Sequence, residues 1–223
     1  PYAFRGSEFS LELTASAPAQ LPEGYNPISG YGEARVDLAL EELLETDVPT
    51  VDPIGGNSVG LDRIGAPAAW EMGYTGDETI VAVLDTGVDL DHPDLDDNIW
   101  VNSGEIPNNG IDDDGNGYVD DVNGWNFADN NNDPDDGNGH GTHVAGTIAA
   151  EDNNLGISGV APDAQIMPVK VLSDSGSGFT SDIAAGIRYA AENGADVINL
   201  SLGGGGVSQQ MNAAIQDATD MGS

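Results

Sequence analysis

Cysteine is absent from the 223 residues, and only 5 residues are Lys or Arg. Without cysteine the chain forms no disulfide and no thiolate metal site. Asp and Glu number 39, which gives a formal net charge of −34 and leaves almost no cationic surface to neutralise phosphates. The composition therefore excludes nucleic acid as a partner, and an anionic membrane is disfavoured for the same reason.

Long hydrophobic runs are also absent, since no apolar stretch reaches the ~18 residues of a membrane span. We therefore predict no membrane partner. The chain starts at Pro1 rather than Met and shows no signal peptide, so we expect a fragment or a processed product. The hydrophobic fraction of 39% is enough for the core of one sizeable domain.

The N-terminal part differs in composition from the rest. Residues 1–34 are rich in Pro, Gly and Ser, and residues 47–60 hold two Pro and three Gly, which is typical of a linker. We expect residues 1–58 to form an arm (a propeptide remnant, a tag or a native extension) and residues 59–223 to form the main domain. Four apolar residues of the arm share one helical face and predict a short helix: Val36, Leu40, Leu43 and Leu44.

The main domain alternates between two kinds of pattern. Continuous apolar runs at 79–84, 164–172 and 195–202 are typical of buried parallel strands, and the segments 181–193 and 208–221 have helical spacing. This alternation predicts an α/β fold, a parallel sheet flanked by helices. Residues 96–138 break the pattern. They are crowded with Asp, Asn and Gly and contain no Lys or Arg, so we predict an acidic insertion at the surface that binds metal.

Three segments of the main domain carry chemistry. Asp85 ends a buried strand, where open α/β sheets place their active sites. His140 lies between two glycines, immediately before an apolar run that predicts a helix. The strand at 195–202 ends in a Ser-Leu-Gly segment whose backbone suits an extended peptide. We expect His143, one turn along the helix, to pack inward as a structural residue.

Two other enzyme classes share parts of this pattern. The Asp-Thr-Gly at 85–87 also occurs in aspartic peptidases, which need a second such carboxylate. No second Asp-Thr-Gly occurs here, which disfavours that hypothesis, and it predicts an acidic pH optimum. A zinc site at His140 and His143 is disfavoured, because helical zinc pairs are spaced i, i+4 and no third ligand is evident.

Taken together and in this order, the three segments resemble the subtilase family of serine proteases. The segments 92–95 and 159–162 add to the resemblance, which covers about 59–222. It implies a partial subtilisin-like fold and a secreted, calcium-dependent endopeptidase that hydrolyses polypeptides through an Asp-His-Ser triad. On this resemblance Asp85 orients the imidazole. His140 then acts as general base toward the serine and as general acid toward the leaving amine.

The resemblance also implies a set of residues that bind substrate. Asn138 corresponds to a family position on the leaving-group side, and two backbone strands are expected to sandwich an extended peptide. These two strands contain Gly176, Ser177 and Gly178 in one, and Ser201, Leu202 and Gly203 in the other.

The nucleophile of the family is missing from the 223 residues. Neither the oxyanion-hole Asn nor the Gly-Thr-Ser-Met-Ala block occurs. Ser177 and Ser201 fit the substrate strands, so neither is a credible nucleophile. We therefore expect the catalytic domain to need a further C-terminal portion as its partner, and this polypeptide alone to be inactive. The alternative is a non-catalytic calcium-binding protein on a degenerate protease fold.

The acidic insertion contains a calcium-loop pattern. Residues 112–120 match D-x-[DN]-x-[DN]-G, although Asn123 stands where the usual twelfth-position Glu is expected and Asp121 is a candidate substitute. The alternative is an acidic loop that is merely solvated. The pattern predicts oxygen ligands from Asp112, Asp114, Asn116, the carbonyl of Tyr118, and Asp120. The subtilase resemblance implies a second calcium site formed by Asp94, Asn153 and the carbonyls of Glu151, Leu155 and Ile157.

Overall fold

The structure of the protein, a computed structural model, describes residues 35–204 and 208–223. Our predictions for residues 1–34 lie outside the described residues. The chain divides into two compact units, Pro1–Tyr74 and Thr75–Ser223. The boundary that we predict near residue 58, between arm and main domain, stays a prediction.

The described part of the first unit is helical. The predicted short helix is confirmed as α1, although none of its residues is buried and Leu43 is 59% exposed. Gly65 separates the second and third helices in a left-handed conformation with φ of 77°, which suits a residue without a Cβ. The helices of this unit are α1 (Val36–Leu44), α2 (Val59–Ile64) and α3 (Ala66–Glu71).

A four-stranded sheet forms the centre of the second unit, and all of its strand pairs are parallel. Its strands are β1 (Ile80–Asp85), β2 (Trp125–Asn126), β3 (Gln165–Lys170) and β4 (Val197–Asn199), in the order β2-β3-β1-β4. β1 and β3 pair along their whole length, which places Asp85 opposite Lys170.

Helices cover both faces of this sheet. Successive side chains of a strand point to opposite sides, so alternate residues of β1 pack against different helices. On one face, Val81 and Val83 of β1 pack in a cluster with Ala145 of α4 (His140–Ala149). On the other face, Ala82 and Leu84 pack in a cluster with residues of α5 (Thr180–Glu192) and α6 (Gln209–Met221). The predicted α/β fold with a parallel sheet flanked by helices is confirmed.

Two local predictions differ from the structure. His143 is exposed rather than packed inward, because the buried positions of α4 are Gly141, Ala145 and Ala149, which repeat every four residues on the opposite side of the helix. The strand predicted at 195–202 pairs only over Val197–Asn199, so the Ser-Leu-Gly segment follows the sheet rather than extending it.

Among the helices that the structure describes, none combines the length and the apolar content needed to cross a bilayer.

Candidate functional site

Asp85 and His140 meet at the carboxyl end of β1. Asp85 is the last residue of the strand and is fully buried, whereas His140 begins α4 with its side chain 51% exposed. The imidazole Nδ1 lies 2.7 Å from Oδ1 of Asp85, and the same oxygen accepts a hydrogen bond of 2.7 Å from the amide of Thr86. A ring held at Nδ1 presents Nε2 on its exposed side, which is the arrangement that proton transfer requires.

Two glycines allow the turn after β1 to approach α4 this closely. A Cβ on Gly141 would overlap the carbonyl oxygen of Gly87, and a Cβ on Gly87 would overlap the carbonyl of Pro134. Gly87 also has a φ of +108°, which disfavours any residue with a side chain. The closest approach of the two segments is therefore between backbone atoms, and Asp85 and His140, 55 positions apart in the chain, lie on either side of it.

Asp136 connects the two turns, a role that the sequence analysis did not predict. Its Oδ1 accepts from the hydroxyl of Thr86 at 2.9 Å and from the amide of Asn138 at 2.9 Å. Its Oδ2 accepts from the amide of Thr142 at 3.0 Å and from the hydroxyl of the same residue at 2.7 Å. Burial raises the pKa of Asp136, but hydrogen bonds from Gly139, Thr142 and Asn138 outweigh burial and lower the pKa to about 2.

Lys170 is a buried cation on the other side of the Asp85 turn, and it too was missed. Its ammonium donates to the carbonyl of Thr86 and lies 2.7 Å from Oδ1 of Asp174. The carbonyl of Asp174 in turn accepts a 2.7 Å hydrogen bond from Nδ2 of Asn138. The side chain of Asn138 is therefore oriented next to His140, whose amide faces Oδ1 of Asn138 at 3.3 Å.

A cavity of about 550 Å³ opens beside His140. Neither of the backbone segments predicted to bind substrate lies in a strand, and Ser173 and Ser177 close a turn with a 2.9 Å hydrogen bond. The structure nevertheless brings the predicted substrate-binding residues together around one space. The cavity is lined by His140 and Thr86, by Asn138, by Gly176, Ser177 and Gly178, by Ser201, Leu202 and Gly203, and by the apolar side chains of Leu172 and Ile183 among others.

Three carboxylates converge in the acidic insertion. Oxygen atoms of Glu105, Asp114 and Asp121 lie within 4.8 Å of one another, and Glu105 and Asp121 are buried. Asp114 belongs to the predicted ligand set, Asp121 was the candidate substitute, and Glu105 was not predicted to be a ligand. Glu105 precedes the loop pattern, so its approach depends on the turn formed by 102–105, in which the amide of Glu105 contacts the carbonyl of Asn102 at 3.2 Å.

The remaining side chains predicted to bind calcium in this loop contact backbone amides. The carboxylate of Asp112 accepts from Gly115, Asn116 and Gly117 at 2.7–3.1 Å. The carboxylate of Asp120 accepts from Asn109 and Gly110 at 3.0 and 2.9 Å. The amide of Tyr118 donates to Oδ1 of Asn116 at 2.8 Å. The roles of Asp112, Asn116, Tyr118 and Asp120 as ligands stay predictions.

Asp121 links the acidic insertion to the core. Its Oδ2 accepts from the hydroxyl of Tyr189 on α5 at 2.6 Å and from Nδ2 of Asn116 at 3.0 Å. Burial raises the pKa of Asp121, and burial together with the hydrogen bond to Asp121 raises the pKa of Tyr189. A buried carboxylate next to two others is an unfavourable arrangement for the protein alone, and three converging carboxylates are oxygen ligands that suit a hard cation such as Ca²⁺.

The second predicted calcium site centres on Asp94, which is 5% exposed. Its Oδ2 accepts from the amide of Ile157 at 3.2 Å, and Oδ1 is buried without a hydrogen-bond partner among the described residues. Asn153 is close by, because its Nδ2 contacts the carbonyl of Pro93 at 3.3 Å and its Oδ1 accepts from Leu155 at 2.9 Å. The amide of Glu151 donates to the backbone oxygen of Asp94 at 3.0 Å. All five residues predicted for this site therefore lie on two adjoining segments.

The chain belongs to the subtilase family, whose peptidase S8 model matches residues 76–223. It is 43% identical over 163 residues to subtilisin Savinase of Lederbergia lenta, which covers 73% of this chain and 51% of the relative. It is also 43% identical over 163 residues to the alkaline protease of Alkalihalobacillus alcalophilus, covering 73% of this chain and 36% of that protein. Thermitase of Thermoactinomyces vulgaris is 42% identical over 165 residues, covering 74% and 51% respectively. The chain thus spans between about a third and a half of the length of these relatives.

Proposed function

We propose that the chain supplies the Asp and His of a calcium-dependent, secreted serine endopeptidase of the subtilisin type. The 2.7 Å contact between His140 Nδ1 and Asp85 Oδ1 carries the proposal. In this proposal Asp85 holds the imidazole and stabilises its cation. His140 removes the proton of a nucleophilic serine and then delivers it to the leaving amine. The nucleophile itself is assigned to a C-terminal portion of the same domain, outside these 223 residues.

Polypeptide is the proposed substrate, and its main chain provides most of the recognition. The cavity beside His140 is bordered by glycine-rich backbone at 176–178 and 201–203, which accommodates an extended peptide whatever its side chains. Leu172 and Ile183 add apolar surface at one side of the cavity. Asn138, oriented by Asp174, lies on the side that the leaving group occupies.

Calcium is proposed at two places, and the donor atoms of both fit the ion. Glu105, Asp114 and Asp121 form the centre of the first site, to which the predicted loop ligands add further oxygens. The buried, unpartnered Oδ1 of Asp94 marks the second site. A bound Ca²⁺ supplies the positive charge that the segment 96–138, without any Lys or Arg, does not provide itself.

The test of the proposal is hydrolysis of casein by two proteins, the 223-residue polypeptide and a longer gene product that contains a Gly-Thr-Ser-Met-Ala block. We expect the longer protein to be active and the shorter one to be inactive. In the longer protein, His140→Ala and Asp85→Asn should lower kcat by about 10⁴- to 10⁶-fold, the range known for removal of triad members in subtilisins themselves.

Two outcomes contradict the proposal. Robust cleavage by the 223-residue polypeptide would show that the nucleophile lies within it. A longer protein that folds and binds calcium but has no peptidase activity would favour the non-catalytic calcium-binding alternative.

A further inference from the structure

The start of α4 has an unusual way of satisfying its first amides. Gly139 occupies the position before the helix, at φ of 98°, and provides no capping side chain. The first-turn amides are met instead by side chains from outside the helix. The amide of Gly141 donates to the hydroxyl oxygen of Thr86 at 3.0 Å, and the amide of Thr142 donates to Oδ2 of Asp136 at 3.0 Å. The position of His140 therefore depends on groups that precede the helix in the chain.

We propose that Asp136 is a positioning residue that holds the turn carrying Asp85 and the helix start carrying His140 at a fixed separation. One carboxylate oxygen binds the Asp85 side, through the hydroxyl of Thr86 at 2.9 Å. The other oxygen binds the His140 side, through the amide and hydroxyl of Thr142 at 3.0 and 2.7 Å. Asp136 thus joins the two parts with three short hydrogen bonds and contacts neither Asp85 nor His140 directly in those bonds.

A carboxylate is needed at this position because every neighbour in the network donates. Two amides and two hydroxyls point at the oxygens of Asp136, so an Asn would turn an NH₂ group toward at least one donor. The low pKa of Asp136 keeps the group ionised at neutral pH. Other charged groups near the turn include Asp85, Asp89, Asp135 and the pair of Lys170 and Asp174, and the ammonium of Lys170 donates to the Thr86 carbonyl.

The tautomer of His140 reports this positioning. A neutral imidazole in water favours the proton on Nε2, and only a well-placed acceptor such as the Asp85 carboxylate holds the proton on Nδ1. If Asp136 sets the separation, its loss lets His140 relax toward the Nε2 tautomer. This inference rests on the proposed function, in which Asp85 and His140 act as a catalytic pair. The tautomer itself is measurable in the 223-residue chain, where the proposal assigns no nucleophile. Its failure is therefore distinguishable from failure of the proposed function.

The experiment is ¹⁵N NMR of histidine-labelled protein at a pH where the imidazole spectrum no longer changes. The chain has only 3 histidines, so His92 and His143 serve as internal controls for folding. We expect wild-type His140 to carry its proton on Nδ1. Asp136→Asn should move roughly a quarter or more of His140 to the Nε2 tautomer. The matched control is Asp135→Asn, which removes a neighbouring charge whose carboxylate accepts from the amide of Leu90 at 3.3 Å.

A second pair of variants keeps the inference testable if Asp136→Asn does not fold. Thr86→Val removes the hydroxyl that links Asp136 to the Asp85 turn, whereas Thr86→Ser keeps it. We expect the Nε2 tautomer to increase in Thr86→Val and to stay at the wild-type level in Thr86→Ser. A folded Asp136→Asn protein with wild-type tautomers would overturn the inference. Equal shifts in Asp135→Asn and Asp136→Asn would also overturn it, because they would show an effect of charge alone.

Discussion

Carboxylates near Asp85 and carboxylates in the acidic insertion are stabilised in different ways. Around Asp85, the carboxylate of Asp136 accepts hydrogen bonds from separate parts of the chain, and a buried lysine lies on the other side of the turn. In the insertion, Asp112 and Asp120 accept from amides of their own loop. The comparison teaches that the geometry of the first region is determined by tertiary contacts within the protein, whereas the second region has the charge pattern of a site that an ion completes.

The strongest expected difference between the two regions concerns packing. Leu84→Ala in β1 should lower the free energy of unfolding by about 2–5 kcal/mol, because it leaves a cavity beneath the fully buried end of the strand. Ile106→Ala in the insertion should change it by no more than about 0.5 kcal/mol, because Ile106 is 61% exposed. Urea unfolding measures both. Equal losses in the two variants would show that the insertion is as tightly packed as the sheet.

Removal of calcium should affect the insertion most. We expect EDTA to lower the Tm by about 5–15 °C, since an ion present at 100 to 1,000 times its Kd stabilises by about 3–4 kcal/mol. Asp114→Asn should remove the part of this response that comes from the site in the insertion, and Asp113→Asn, whose carboxylate contacts Ile106 and Asn109, should retain it. A Tm unchanged by EDTA at moderate salt would contradict calcium binding.

The effect of Asp121→Asn on the free energy of unfolding should change sign between EDTA and calcium. In EDTA, Asp121→Asn should leave stability unchanged or raise it by up to about 1 kcal/mol, because it removes a buried charge while an amide oxygen remains for the Tyr189 hydroxyl. In calcium the same change should cost about 2–3 kcal/mol through loss of the ion. Tyr189→Phe is the control, because it keeps the charge and removes the donor, and it should destabilise in EDTA by about 1–3 kcal/mol. The same sign for Asp121→Asn in both solutions would argue against Asp121 as a ligand.

Low pH should destabilise the Asp85 region, because the carboxylate of Asp136 becomes protonated there. The pKa of Asp136 falls from 3.8 to about 2 on folding, so its stabilisation is complete above about pH 4 and is lost as the pH falls toward 2. Partial exposure limits this contribution to roughly 1–2 kcal/mol. We expect Asp136→Asn to be less stable than wild type at pH 6 and the difference to shrink by pH 3, as measured by urea midpoints. A difference that does not change with pH would show that the carboxylate charge contributes nothing.

Periodicity was sufficient for several of the regular elements but not for β2, α2 or α3, and the motifs singled out Asp85 and His140, which the structure places 2.7 Å apart. The apolar run before Asp85 predicted β1, and the helical spacing at 181–193 and 208–221 predicted α5 and α6 to within a residue or so at each end. Residues that act across the fold were not predictable in this way. Lys170 looked like part of a strand, and Glu105 and Asp136 looked like ordinary members of an acidic segment. Their partners are brought close only by the tertiary structure, which no local pattern contains.

The backbone contact between Gly87 and Gly141 leaves no room for a side chain at residue 141. At this one point the two segments meet through backbone atoms, so any side chain at residue 141 would push them apart, whatever the side chains of Thr86 and Asp136 contribute nearby. The 52 residues from 88 to 139 begin on one side of this contact and end on the other. A change in the length of that stretch leaves the residues on either side in place only if Pro134 and Asp136 keep their contacts with the turn after β1.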